Sequence, residues 1–143
     1  MHTVTIDLDD LIMALSARFV LDDPSHYLDM QSGEVIYAGE GLEALPPDLV
    51  SNTRYRWIEP ISGENSVAIM DRFLTEAAPG DAVAALQEAL AQEAPLEAFM
   101  EALGEPAPAM SQARDAWIRY QQQAHAELAQ GWCLTQGIVP RWR

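Results

Sequence analysis

The chain contains no lysine: all eight of its basic residues are arginine. A Schiff-base lysine and a Walker-type phosphate lysine are therefore both excluded. Cys133 is the single cysteine, which rules out an internal disulfide and agrees with a reducing, cytoplasmic location. No run of 18 apolar residues is present to span a bilayer, and the opening MHTVTIDLDD has neither the basic nor the apolar region of a signal peptide. G-x-S-x-G, P-loop, G-x-G-x-x-G and C-x-x-C are all missing. Positive charge is scarce as well. The formal net charge is −14, and 22 acids outnumber the arginines throughout. Residues 1–53 carry −9 and residues 54–143 carry −5. A surface this acidic repels phosphate backbones and anionic membranes, which disfavours nucleic acid and membrane as partners.

What is present suits one globular domain: 143 residues, 49% of them hydrophobic. Leu8, Leu11, Ile12, Leu15 and Phe19 recur at helical spacing, so TIDLDDLIMALSARF predicts an amphipathic helix. Thr5 or Asp7 is its N-cap, and Asp22-Asp23-Pro24 its stop. HYLDM and EVIYA flank Gln31-Ser32-Gly33 and predict a β-hairpin. GEGLEALPPDLVSNT reads as an irregular connection. RYRWIEP alternates, with Tyr55 and Trp57 on one face and Arg54, Arg56 and Ile58 on the other. It predicts a third strand with its aromatic side inward.

The period then turns helical. Ser62 caps a helix carrying Val67, Met70, Phe73, Leu74 and Ala77; Asp81 caps one carrying Val83, Leu86 and Leu90. Pro95 opens a third, carrying Leu96, Phe99, Met100 and Leu103, which closes at Gly104. Ser111 opens the last helix, which runs to about Gln136. Its stripe of Ala113, Trp117, Tyr120, Ala124 and Leu128, with Trp132 at the edge, predicts a buried face. The expected fold class is α+β in a single domain: residues 1–60 form a helix plus a small antiparallel sheet of hairpin and one strand, and 61–143 a helical half of about four helices.

Three blocks in this order resemble an uncharacterised bacterial family, number 0158 in its series. They are YLDMQSGEVIY, RYRWIEPISGENSVAIMDRFL, and LEAFMEAL followed by ARDAWIRYQQQAHAELAQGWCLTQGI. The resemblance covers most of residues 25 to 139 and implies no known activity. Met70 and Phe73 match the family's helical core, and Arg114, Asp115 and Trp117 match its terminal motif. Where the family's third block carries several basic residues, Ala94-Pro95-Leu96-Glu97-Ala98-Phe99-Met100 has none. Any anion-binding role of that cluster in relatives is therefore not expected here.

The chemistry-bearing residues divide into weak candidates and structural readings. Asp7, Asp9 and Asp10 read as a charged helix start rather than a cation site, because the glycine and glutamate of an EF-hand loop are missing. His26 and Asp29 fall on opposite faces of one strand. His125 sits beside the apolar stripe without a second histidine at helical spacing, and Cys133 reads as a passive thiol. No metal site and no cofactor are expected. The composition favours a cytosolic protein-interaction or regulatory module without catalysis. One alternative is a small enzyme acting on an anionic substrate between sheet and helices, with Asp71, Arg72, Arg114 and Asp115 as catalytic candidates. Asp29, Arg54, Arg56 and Trp57 would then bind the substrate. A second alternative is an acidic mimic, or an immunity-type inhibitor of a basic partner. The partner is expected to be a protein. Oligomeric state and the role of Arg141-Trp142-Arg143 are left open.

Overall fold

Alternation at the N-terminus sets the first element. In HTVTI the side chains of Val4 and Ile6 are buried while those between them are exposed, and His2–Ile6 form strand β1. The computed structural model describes residues 2–16, 26–37 and 53–143. Asp7 caps helix α1, Leu8–Leu15, its Oδ1 accepting from the Asp10 backbone N–H at 3.1 Å. Asp9 and Asp10 fill the first turn, where the helix dipole favours carboxylates. Thr5, the other candidate cap, stays in β1. Phe19, the Asp22-Asp23-Pro24 stop and the connection over 39–52 lie outside the described residues.

The expected hairpin and third strand form one antiparallel sheet. β2 (His26–Asp29) is central, flanked by β3 (Val35–Tyr37) and β4 (Tyr55–Ile58). The four residues Met30 to Gly33 turn the hairpin. Gly33 N–H donates to the Asp29 carbonyl at 2.7 Å, and Asp29 N–H donates to that of Glu34 at 2.9 Å. Gly33 has φ +78°, the left-handed region where glycine is favoured. Its α-carbon also lies so close to β1 that an added Cβ would fall 1.8 Å from the Thr5 carbonyl oxygen. A glycine is required there twice over.

The aromatic side of β4 faces opposite to expectation. Ile58 is fully buried while Trp57 is 50% exposed. Leu28 and Ile58 reach the core from β2 and β4, and the pleat then turns Tyr27 and Trp57 to the other face. Arg56 shares the inward face and is half-buried. The sheet thus buries its aliphatic side.

Two of the chain's strands were not anticipated. β1 pairs in parallel with β5, Ile138–Trp142, in the register His2↔Ile138 to Ile6↔Trp142. His2 N–H donates to the Gly137 carbonyl and Arg143 N–H to that of Ile6, both at 3.0 Å. Odd-numbered residues of β5 therefore bond toward β1, and Pro140 faces the opposite edge, where its missing N–H interrupts no ladder. An outer edge carrying proline is also a poor template for further pairing.

Four further helices follow the sheet. They are α2 (Gly63–Glu76), α3 (Gly80–Leu90), α4 (Pro95–Leu103) and α5 (Pro108–Thr135). Ser62 caps α2, accepting from Asn65 N–H at 3.1 Å, and Pro95 opens α4 at its first position. α3 begins at Gly80, so Asp81 lies inside its first turn rather than at the cap. Its buried residues are Ala82, Leu86 and Ala89 in place of Val83 and Leu90. α5 ends before Gly137, whose φ of +72° turns the chain into β5.

The chain divides into two compact units, Met1–Ile61 with His125–Arg143, and Ser62–Ala124. In the first, Val4, Ile6, Leu11, Ala14, Leu15, Leu28, Ile58, Ala129, Cys133 and Ile138 make one core. In the second, Phe73, Phe99 and Trp117 meet edge to face, with centroids 5.1–6.4 Å apart, and Tyr120 lies 5.5 Å from Phe73. The stripe read on α5 is buried at Ala113, Trp117 and Ala124. Beyond it the buried positions are Ala129 and Cys133, while Leu128 is only half-buried.

Gly33→Ala is expected to destabilise the first unit by at least about 3 kcal/mol, since both backbone strain and a clash with backbone are incurred. Gly131→Ala, in α5 with nothing within 4 Å of the new methyl, is expected to stabilise by about 0.5–1 kcal/mol. Urea unfolding of both variants measures the pair, and equal effects would contradict this account of the turn.

Candidate functional site

Asp29 is a heavily engaged polar side chain. It ends β2 at 5% exposure, where an unpartnered carboxylate would be costly. Its Oδ1 accepts from Arg54 Nε at 2.9 Å and from the backbone N–H groups of Gln31 at 2.9 Å and Ser32 at 3.4 Å. Its Oδ2 accepts from Arg54 Nη2 at 2.9 Å. The arginine fork is thus bidentate, the geometry in which guanidinium binds carboxylate best. The Arg54 guanidinium, helped by the turn's N–H groups and opposed by burial, holds the Asp29 carboxyl well below the usual carboxylate range.

Arg54 also lies over the Tyr55 ring, 5.2 Å from its centroid. Arg56 donates from Nε to the Thr53 carbonyl at 3.1 Å and from Nη1 to Gln136 Oε1 at 3.4 Å. His2, Met30, Gln31, Thr53, Arg54 and Arg56 line an open depression of about 460 Å³ beside the pair. The structure therefore brings together Asp29, Arg54 and Arg56 of the sequence candidates. It adds His2, Gln31, Thr53 and Gln136, for which no motif gave a signal. Trp57 belongs to the opposite face of β4 and stands outward.

The other candidates lie in the second unit. Asp71 and Arg72 are exposed on α2, and Asp115 is exposed on α5. As chain neighbours on a helix, Asp71 and Arg72 point about 100° apart. Arg114 is half-buried, and its Nη1 donates to the backbone carbonyls of Leu103 and of Glu105, the latter at 2.9 Å. Leu103 is the last residue of α4, so Arg114 closes that helix's C-terminus, where a cation also meets the negative end of the dipole.

Burial shifts the titration of the chain's cysteine and of two of its histidines. Cys133 is fully buried in the first unit's core, and burial pushes its thiol up to about 11. Little thiolate exists there at neutral pH. Burial also lowers the pKa of His26 and His125. The His26 ring packs against Tyr37 with centroids 4.9 Å apart. Among the described residues no group of three or more His, Cys, Asp or Glu side chains is placed to hold a metal ion, and no helix is long and apolar enough to cross a membrane.

The chain belongs to the uncharacterised protein family UPF0158, whose model matches residues 1–142. It is 35% identical to the UPF0158 protein PA5073 of Pseudomonas aeruginosa, over an alignment that covers 100% of this chain and 90% of that protein. No solved structure matches the chain.

Two outcomes follow from the geometry. Asp29 has its pKa depressed by folding, so its stabilisation is complete above the ordinary carboxylate value of about 4 and is lost as pH falls below it. Asp29→Asn is expected to cost about 2–3 kcal/mol at neutral pH, and the gap to the parent chain should narrow steadily on acidification from pH 4. A gap independent of pH would contradict the assignment. Arg114→Ala should lower stability by about 1–2 kcal/mol through loss of the α4 cap. Thermal unfolding of Arg114→Ala beside Asp115→Ala, expected to be near neutral, separates a structural arginine from a paired functional element.

Proposed function

We propose that this chain is a protein-interaction module without catalytic activity of its own, and that the outward face of the three-stranded sheet is its contact surface. The observation that carries the reading is a cross-strand row. Tyr27 on β2 pairs with Ile36 on β3 and with Trp57 on β4, so the three stand side by side on the face away from the core. Trp57 is 50% exposed, Tyr27 and Ile36 are half-buried, and Tyr55 lies on the same face of β4 with Arg54 stacked on it. Tryptophan, tyrosine and arginine are the residues that carry most binding energy at protein interfaces. The polar candidates favour the same reading, since Asp29, Arg54 and Arg114 are already engaged in holding a turn and a helix end.

A second reading has one observation in its favour. The depression lined by His2, Gln31, Thr53, Arg54 and Arg56 gathers donors in an otherwise acidic protein, which suits a small anionic ligand. The acidic-mimic reading has less support. Counted by compact unit, the formal charge is −7 on each, with no concentration on one of them.

Affinity capture of the tagged chain from its own cells tests the choice. One stoichiometric protein should be retained. Trp57→Ala should weaken it by about 2 kcal/mol, roughly 30-fold in affinity, while changing stability by less than about 1 kcal/mol. Recovery of the bare chain, or of a bound anionic metabolite alone, would overturn the interaction reading in favour of the second.

A further inference from the structure

We propose that the outward face of the three-stranded sheet receives a proline-rich segment of a partner protein, held in the polyproline II conformation and seated on Tyr27 and Trp57. This rests on the interaction reading above and names the partner class of the same surface. Met30 N–H donates to the Arg54 carbonyl at 2.8 Å. Bonded and non-bonded pairs alternate along an antiparallel ladder, so Leu28↔Arg56 is a bonded pair and Tyr27↔Trp57 a non-bonded one. In a pair of that kind the α-carbons are about 4.5 Å apart and the side chains stand closest, near enough for two rings to stack. These two do not. Among the described residues neither ring meets another aromatic ring, and neither the Tyr27 hydroxyl nor the Trp57 indole N–H has a hydrogen-bond partner. With Trp57 half in solvent, the pair presents aromatic surface and a free donor together.

Hydrogen bonding decides which backbone suits such a surface. A peptide lying flat on aromatic faces meets no strong acceptor there, so any N–H turned toward them loses its partner in water. Proline has no N–H to lose. Its ring supplies the apolar contact, and the carbonyls of the same segment can accept from the indole N–H, which is a donor only. Spacing fits as well. Tyr55 is on the same face of β4 as Trp57, two residues away and hence about 6.8 Å along the strand. Two residues of polyproline II span about 6.2 Å. A segment running along β4 therefore sets one proline at the Tyr27–Trp57 pair and a second at Tyr55, whose ring is braced by Arg54 at 5.2 Å. The ligand is already extended when free, which lowers the entropy cost of binding. Nucleobases also stack on aromatic rings. Their phosphates, however, meet a chain in which 22 acids outnumber eight arginines, and that field repels them.

Calorimetric titration of the full chain tests this with two capped decapeptides, one of proline alone and one of alternating serine and glycine. Decaproline is expected to bind, and raising salt from about 50 to about 300 mM should change its affinity less than about twofold, since the contact is uncharged. The serine–glycine peptide should not bind. Trp57→Phe, which keeps a ring but removes the indole donor, should weaken binding about tenfold. Trp57→Ala should weaken it roughly 30-fold, and thermal stability should be unchanged in both variants. No binding of decaproline at about 1 mM, equal binding of the serine–glycine peptide, or binding indifferent to Trp57→Ala would overturn the proposal. So would tighter binding of a uridine decanucleotide, which would make the face a base-stacking platform. Sedimentation of the parent chain as a dimer that Trp57→Ala dissociates would overturn it too, making a second copy the occupant. If decaproline fails while Trp57-dependent capture of a protein persists, only the proline assignment falls; if capture also fails, the interaction reading falls with it.

Discussion

A buried carboxylate at the end of β2 organises the first unit. Asp29 could not stay ionised at 5% exposure without its donors, and those donors come from both neighbours of β2: the hairpin turn and the entry to β4. Meeting that requirement fixes three things together. The turn closes around Oδ1, β4 is held in register through Arg54, and Gly33 is delivered against the Thr5 carbonyl of β1. Through β1 the constraint extends to β5, so the two ends of the chain are tied to the same turn. Breaking one partner would strand the other charge, the costly direction for a buried pair.

The second unit depends on shape rather than charge. Phe73, Phe99 and Trp117 pack edge to face, an arrangement that the ring quadrupoles favour. Around this centre the helix ends are closed by Ser62 on α2 and by Arg114 on α4. Arg114, which carries part of the resemblance's terminal motif, therefore has a structural task at the end of α4.

Local signals were legible where they act locally. Ser62, Pro95, Gly104 and Gly137 marked helix ends because capping and proline or glycine geometry depend on only a few neighbouring residues. The hairpin was legible from Gly33, and the α+β class from the change of period after Pro60. The cap of α3 was placed two residues late, at Asp81 instead of Pro79, and its buried face was read through Val83 and Leu90 because Ala82, Leu86 and Ala89 keep helical spacing equally well. β1 and β5 were invisible because each finds its partner at the opposite end of the chain, and Pro140 reads as a strand breaker until its open edge is known. The facing of RYRWI was inverted for a related reason. Alternation separates Trp57 from Ile58 but does not say which side meets the core, and β2 settled it through Leu28. Asp29 and Arg54 were both singled out. Their pairing across 25 residues was not, because no pattern links a hairpin end to the start of a later strand.

The most direct test of this account is a double-mutant cycle on Asp29→Asn and Arg54→Gln, read by urea unfolding at pH 7. A lock between turn and strand predicts a coupling energy of about 1–2 kcal/mol. A coupling near zero with unaltered stability would contradict it, and would return Asp29 and Arg54 to the pool of groups free to act on a substrate.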